Sequence, residues 1–249
     1  MWAYDREGGN ETAGPFGDAA FGATFGDVLR SWGSAIDYAP APVHNPQHNT
    51  TSNYQNWMLT LTDVTTGARV AFVAGDWSTR ERAPPGDSGV PGWAERGLGD
   101  FAGGPLPWLR AALARAGSLP PGARPDALWL VQHQPIKCPF YMPDLLFCFG
   151  AADKALLADA MLGAWPKSSW GGSLAGHIHL FANDSGDVWG GDAWPAFREL
   201  ETSAAKGDGV DADAASAFTV VDFAGTRVAH VQRQWFRVSE GAWVVEDGE

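Results

Sequence analysis

Three histidines follow apolar runs in the second half of the chain. His133 opens the H-x-P string, His133-Gln134-Pro135, directly after the run 127–131, and His177 and His179 lie in the G-H-x-H string, Gly176-His177-Ile178-His179, after the run 173–175. Residues two apart in an extended segment point to the same side, whereas on a helix they diverge. Neutral imidazole binds Zn, Fe and Mn well. The pattern predicts a metal site at the ends of two strands, and the alternative is that each histidine is a structural residue of the core.

The segments around these strings alternate between apolar strands and amphipathic helices. A helix is predicted over 105–116, with Leu106, Leu109, Leu113 and Ala116 on one face and Gly117 at its end. A second helix over 154–162, with Asp153 as the candidate cap, lies between the two strings. A short helix is predicted over 25–32, a loop over 39–53, and strands over 56–62, 69–75, 127–132, 173–175, 217–223, 227–232 and 241–245. This order predicts an α/β protein whose sheet is covered by helices.

Composition limits the classes of protein. With 249 residues and a 45% hydrophobic fraction, the chain can bury a core, so we expect one domain over 1–249 with a loop-rich N-terminal segment, 1–53. The net charge of −12 argues against binding to a nucleic-acid backbone or to anionic lipid. We find no apolar stretch long enough to span a bilayer, and residues 1–7 do not resemble a signal peptide.

Sequons and cysteines bear on the cellular compartment. Three N-x-S/T sequons begin at Asn10, Asn49 and Asn183, and the two cysteines, Cys138 and Cys148, enclose a short segment. A local Cys138–Cys148 disulfide would indicate an oxidising compartment, and the alternative is two buried thiols. Together these features predict a secreted protein or one of the endomembrane lumen.

The order of elements and the two histidine strings resemble the calcineurin-like metallophosphoesterase family over residues 54–238. The segment Phe72–Asp76 is similar to the family's strand that ends in an acidic residue, and Pro107-Trp108-Leu109 is similar to its helix start. The resemblance implies a four-layer α-β-β-α sandwich with two transition-metal ions (Fe, Mn or Zn) at the strand ends. It further implies that His133 and His177 share one ion, that His179 binds the other, and that His177 and His179 act in catalysis. The implied substrate is a phosphoester small molecule, attacked by a metal-bridging hydroxide.

The chain departs from the family's N-terminal motifs. No D-x-H and no G-D-x-x-D precedes His133, and Gly9-Asn10-Glu11 matches the family's G-N-H-E only in part. This partial match makes Asn10 a further candidate metal ligand, although a glycosylated asparagine cannot be a buried ligand. Without an aspartate between them, two adjacent cations lack anionic compensation. We therefore expect a chain that is incomplete at its N-terminus.

Two other functions stay open at this point. The first is a non-catalytic binding module, or pseudoenzyme, on the same scaffold. The second is an extracellular carbohydrate-binding β-protein, suggested by thirteen tryptophans, the sequons and the acidity, and opposed by the predicted helices. The choice between monoester and diester substrates, the metal identity and the oligomeric state do not follow from the sequence.

Overall fold

The computed structural model describes residues 24–77, 96–137, 148–176, 182–185, 188–189, 194, 196–201 and 214–248. They form a mixed α/β structure, as predicted. The chain divides into two compact units, one of residues 1–61, 71–124 and 150–166 and the other of residues 62–70, 125–149 and 167–249. Neither unit is one continuous segment, and the single domain over 1–249 stays a prediction.

The first unit contains two groups of strands. Strand β1 is Ile36–Asp37, and β2 (Pro42–Asn45) pairs with β3 (Thr50–Asn53) in an antiparallel hairpin. Strands β4 (Trp57–Thr62) and β5 (Arg69–Ala74) lie beside β1 in a sheet, in the order β1-β4-β5. The hairpin predicted over 56–62 and 69–75 therefore corresponds to two neighbouring strands.

The β2–β3 hairpin corrects the loop predicted over 39–53. The buried Asn45 side chain accepts a hydrogen bond from the backbone N–H of Gln47, at 2.8 Å. Asn49, at the other end of the turn, adopts a left-handed conformation with φ of 51°. Asparagine favours both arrangements. Asn45 and Asn49 therefore form the turn of a hairpin in a segment whose prolines and polar residues had predicted a loop.

The described residues of the first unit include three α-helices: α1 over residues 24–31, α2 (Pro105–Ser118) and α3 (Ala151–Ala164). The predicted apolar face of α2 is buried, as expected for its 3.6-residue period. The helix runs one residue beyond Gly117, and its last side chain, Ser118, donates to the backbone O of Arg115 at 2.8 Å. The Trp165 indole N–H then joins the end of α3 to α2 by donating to the backbone O of Leu113, at 3.0 Å.

Helix α3 begins earlier than predicted, and Asp153 is not its cap. Gly150 occupies the N-cap position, and the two alanines that follow extend the helix towards the N-terminus. Asp153 lies in the first turn and accepts a hydrogen bond from the backbone N–H of Gly97, at 3.2 Å. Its carboxylate therefore stabilises a neighbouring loop instead of the helix end.

The second unit contains a mixed sheet in the order β6-β7-β9-β8. Strands β6 (Ala127–Val131), β7 (Trp170–Ala175) and β9 (Arg198–Glu201) are parallel, and β8 (Ala182–Ser185) is antiparallel to β9. Gly171 and Gly172 permit the close packing of β7, because a Cβ at Gly171 would overlap the Trp129 indole and one at Gly172 would overlap the backbone O of Arg198. The parallel arrangement places the carboxyl ends of β6, β7 and β9 at one edge.

A three-stranded antiparallel sheet completes the second unit. It consists of β10 (Ala214–Ala224), β11 (Arg227–Arg237) and β12 (Ala242–Gly248), and it contains the hairpin predicted over 217–223 and 227–232. Phe223 of β10 meets Trp129 of β6 edge to face, with ring centroids 5.3 Å apart. Among the described residues, no helix has both the length and the apolar character needed to cross a membrane.

Candidate functional site

The H-x-P string and the start of the G-H-x-H string lie side by side at the carboxyl edge of the mixed sheet. Strands β6 and β7 are parallel, and the pairing continues past the strand ends because the backbone N–H of Gly176 donates to the backbone O of His133, at 2.9 Å. A Cβ placed on Gly176 would lie 3.9 Å from the Nδ1 atom of His133. The half-buried His133 ring therefore lies against the residue that immediately precedes His177.

The remaining predicted site residues are only partly described. His177, His179, Asn10 and Cys138 lie outside the described residues, so their roles stay predictions. Cys148 is buried and disulfide-bonded, and the described part of the chain contains no free cysteine. Next to it, the backbone N–H of Phe149 donates to the backbone O of Pro135, at 3.2 Å, which closes the segment from 135 to 149 at its base.

Glu199 of β9 fastens the loop that follows His133, a role that the sequence analysis missed. Its carboxylate accepts hydrogen bonds from the backbone N–H of Ile136 at 2.8 Å, the backbone N–H of Lys137 at 2.7 Å and the Ser173 hydroxyl at 2.8 Å. The side chain is fully buried. Burial raises the pKa of Glu199 to about 7, because its effect is larger than that of the three hydrogen bonds, which lower the pKa. The Glu199 carboxylate of β9 thus connects the loop after β6 to strand β7.

Glu201, two residues further along β9, has no comparable set of partners. It is 2% exposed, and its Oε2 atom has no hydrogen-bond partner among the described residues. Burial is the main cause that raises the pKa of Glu201 to about 8, and the charges of Glu199 and Asp184 add to it. The alternating acidic residues in Arg198-Glu199-Leu200-Glu201 are the sequence signal for this pair, because residues two apart in a strand share a face.

Other polar groups lie at the same edge or near it. Lys137 forms an ion pair with Asp184 of β8, at 2.7 Å, and Asn183 accepts a hydrogen bond from the Arg198 guanidinium, at 2.6 Å. Gln132 is 7% exposed, and neither polar atom of its carboxamide has a partner in the described part of the chain. The sheet edge is therefore rich in buried polar groups, as ligand sites in helix-covered sheets commonly are.

Of the histidines predicted to bind a metal, the structure describes His133. Within the described ranges, no three His, Cys, Asp or Glu side chains are grouped as metal ligands, and two of the three predicted histidines lie outside those ranges. His133 offers an imidazole nitrogen, which is an ordinary ligand for Zn, Mn and Fe. Its ring lies against Gly176, whereas Glu201 pairs with Ala175, and neighbouring residues of a strand face opposite sides of a sheet. The imidazole therefore fits the predicted cation, and the Glu201 carboxylate lies on the other side of the sheet.

Comparison with known proteins leaves the family open. No family model matches the chain, and no curated protein matches it. Among solved structures, the chain is similar to GAP50, described as the anchor in the inner membrane complex of Plasmodium, with 11% sequence identity and a TM-score of 0.37. The match covers 79% of this chain and 57% of that chain. At this level the similarity carries no argument about function.

Proposed function

We propose that this chain is a metal-dependent hydrolase of phosphoesters, with the four-layer α-β-β-α sandwich of the calcineurin-like metallophosphoesterases. The observation that carries the proposal is the contact between the two histidine strings, in which Gly176 N–H donates to His133 O at 2.9 Å. Two strings distant in sequence begin at adjacent parallel strand ends. The carboxyl ends of parallel strands are where such sheets commonly bind ligands, which supports a shared metal site for the two strings.

The resemblance to the family supplies the proposed roles. His133 and His177 would hold one ion and His179 its neighbour, with Asn10 as a further ligand. Bound metal ions would neutralise phosphate charge and lower the pKa of a water molecule between them. Glu199 acts as a positioning residue, because its hydrogen bonds to Ile136 and Lys137 hold the loop that begins at His133. A fixed loop keeps the His133 imidazole at the sheet edge, as a metal ligand requires.

We further propose that the protein resides outside the cytosol, in the endomembrane lumen or as a secreted protein. The disulfide at Cys148 supports this placement, because disulfides persist in oxidising compartments. Asn49 supports it too, because this sequon residue is exposed in the β2–β3 turn, where a glycan can be attached. The substrate would be a small phosphoester, since the net charge of −12 opposes binding to a nucleic-acid backbone.

A non-catalytic binding module on the same scaffold is the second candidate. The absence of D-x-H and G-D-x-x-D N-terminal to His133 favours it, because these motifs contribute aspartates to the family's metal site. The carbohydrate-binding β-protein is less well supported, because helices α2 and α3 each span 14 residues.

Metal content and turnover measured on the same samples separate these candidates. The full chain is loaded with Mn²⁺, Zn²⁺ or Fe²⁺, desalted and analysed by mass spectrometry for bound metal, then assayed with p-nitrophenyl phosphate and bis(p-nitrophenyl) phosphate. His133→Ala and His177→Ala should each lower kcat/KM by about 100-fold or more, beyond the loss typical of an outer-shell partner. His230→Ala is the matched control, because His230 is exposed on β11 and faces Asp222 at 3.4 Å.

Three outcomes are distinct. Bound metal with histidine-dependent turnover supports the hydrolase. Bound metal without turnover of either ester refutes the hydrolase and supports the binding module. A wild-type chain that retains no metal from any of the three solutions refutes both.

A further inference from the structure

We infer that the two sequons in the described part of the chain differ in use: Asn49 carries an N-linked glycan, whereas Asn183 is a structural residue of β8 and stays unmodified. A glycan at Asn49 depends on the proposed location outside the cytosol and is independent of the proposed hydrolase activity. The difference between the two asparagines comes from the turn that presents Asn49 and from the strand pairing and hydrogen bond that engage Asn183.

Asn49 is the last residue of the turn between β2 and β3, where a bulky group on its side chain meets solvent. Its side chain is exposed, as is that of Thr51, whose hydroxyl completes the sequon. The Asn49 carboxamide forms no hydrogen bond with the described residues. An N-x-S/T sequon on a surface loop is the usual context of an N-linked glycan. A glycan at Asn49 therefore displaces no side-chain hydrogen bond of the described structure.

The Asn183 sequon lies in a paired strand instead of a loop. Asn183, Asp184 and Ser185 pair in antiparallel register with residues 198–200 of β9. The Asp184 carboxylate also binds the Lys137 ammonium, at 2.7 Å. The whole tripeptide is thus held by the sheet and by an ion pair to the loop after β6, which is not the surface-loop context of a glycan acceptor.

The Asn183 carboxamide is also engaged by a neighbouring side chain. Asn183 is half-buried, and its Oδ1 atom accepts a hydrogen bond from the Nε atom of Arg198, at 2.6 Å. Arg198 is itself half-buried, and burial lowers the pKa of its guanidinium. A glycan is attached to the Nδ2 atom of the same carboxamide, so its first sugar would have to share this half-buried space with the guanidinium. Displacement of Asn183 would leave a partly desolvated charge without its acceptor, which is costly.

Glycans are added as a chain enters the lumen, before a sheet has formed. A chain glycosylated at Asn183 should therefore fail to pair β8 with β9 correctly and be absent from the folded protein. A chain glycosylated at Asn49 should fold normally, because the sugar projects from a turn.

The experiment expresses the full chain behind an added signal peptide in a eukaryotic secretory host and maps glycan occupancy in the folded protein that is recovered. Enzymatic removal of glycans in heavy-oxygen water converts each glycosylated asparagine into a labelled aspartate, which peptide mass spectrometry locates. We expect the label at Asn49 in most molecules and no label at Asn183. Thr51→Ala and Ser185→Ala are the matched pair, because each removes the acceptor hydroxyl of one sequon and keeps its asparagine. Thr51→Ala should lose the label at Asn49, and Ser185→Ala should change nothing.

The structural role of Asn183 is tested separately on protein made without glycans. Asn183→Ala should unfold at a lower urea concentration than wild type, because the Arg198 guanidinium loses its acceptor. Ser185→Ala is the control and should match wild type, since the Ser185 side chain is exposed in the same strand. An Asn183→Ala midpoint equal to that of wild type overturns the structural role.

The occupancy results separate the remaining statements. An unlabelled Asn49 in the folded protein overturns the glycan, and a labelled Asn183 in the folded protein overturns its assignment as an unmodified residue. Because the signal peptide is added, neither result depends on the proposed location. A native protein found in the cytosol would overturn the location and the native glycan together, and the proposed hydrolase activity would stand. The Asn10 sequon lies outside the described residues, and peptide mapping reads it separately.

Discussion

Replacement of Glu199 by glutamine tests how a fully buried carboxylate is tolerated at the sheet edge. The substitution preserves the shape of the side chain but leaves one acceptor oxygen where the carboxylate has two. In place of Oε2, that oxygen keeps the hydrogen bonds from Ile136 and Ser173, and the amide NH₂ then faces the Lys137 N–H. Lys137 is half-exposed, so water can reach that donor. We expect this local loss to cost about 1 kcal/mol, the lower end for an unsatisfied donor.

The charge effect is larger than the local loss, and it has the opposite sign. Burial raises the pKa of Glu199 from 4.5 to about 7, so between these pH values the folded protein holds a proton that the unfolded chain has released. The contribution of Glu199 to the free energy of unfolding is therefore highest below pH 4.5 and falls as pH rises to about 7, by about 3 kcal/mol. Glutamine does not titrate. Relative to wild type, Glu199→Gln should thus be about 1 kcal/mol less stable near pH 4, about equally stable near pH 5 and about 2 kcal/mol more stable near pH 8.

Urea denaturation of the metal-free chain, followed by tryptophan fluorescence from about pH 4 to about pH 8, measures this crossover. Glu240→Gln is the control, because Glu240 is an exposed carboxylate that pairs with Arg237, and its difference from wild type should stay within about 0.5 kcal/mol across the range, as expected for an exposed ion pair. A Glu199→Gln variant that becomes progressively less stable than wild type as pH rises would refute the reasoning. It would mean that the three hydrogen bonds outweigh the desolvation of the carboxylate.

Four further predictions concern the scaffold and one sequon. Gly172→Ala should lower the free energy of unfolding by about 1–3 kcal/mol, because its Cβ would overlap the backbone O of Arg198. Gly163→Ala, in α3 with nothing within 4 Å of the added Cβ, should raise it by up to about 1 kcal/mol; both are measured by urea titration. Leu113→Ala should cost about 2–5 kcal/mol in the same assay, since Leu113 is fully buried. After secretory expression, Asn49→Gln should lose one glycan by intact mass before deglycosylation and show no such difference afterwards.

Periodicity predicted the elements whose side chains alternate cleanly between core and solvent. Helix α2 shows the four predicted apolar residues buried on one face, and strand β6 follows the apolar run before His133. In both elements the burial of apolar side chains stabilises the structure, and the spacing of those side chains is visible in the sequence as a periodic pattern. The H-x-P string and Gly176, the first residue of the G-H-x-H string, could be placed for the same reason, because each follows a buried strand.

Hydrophobic periodicity is absent from the segments whose structure depends on polar side chains. The β2–β3 hairpin depends on Asn45 and Asn49, which close its turn through side-chain hydrogen bonding and a left-handed backbone. Strands β8 and β9 are short and polar, and β9 has Glu199 and Glu201 buried. An acidic residue in a strand is ordinarily assigned to the solvent face. Only the tertiary structure shows that the first of this pair has three hydrogen-bond donors around it.

The two glutamates of β9 illustrate how partners divide identical side chains into different roles. The Glu199 carboxylate is surrounded by three donors, each from another segment, so its acceptor capacity is used in holding the loop after His133. Glu201 shares its strand face and its burial, but it retains an oxygen without a partner among the described residues. The first carboxylate therefore holds the loop after His133 in place, whereas the second takes no part in that set of hydrogen bonds.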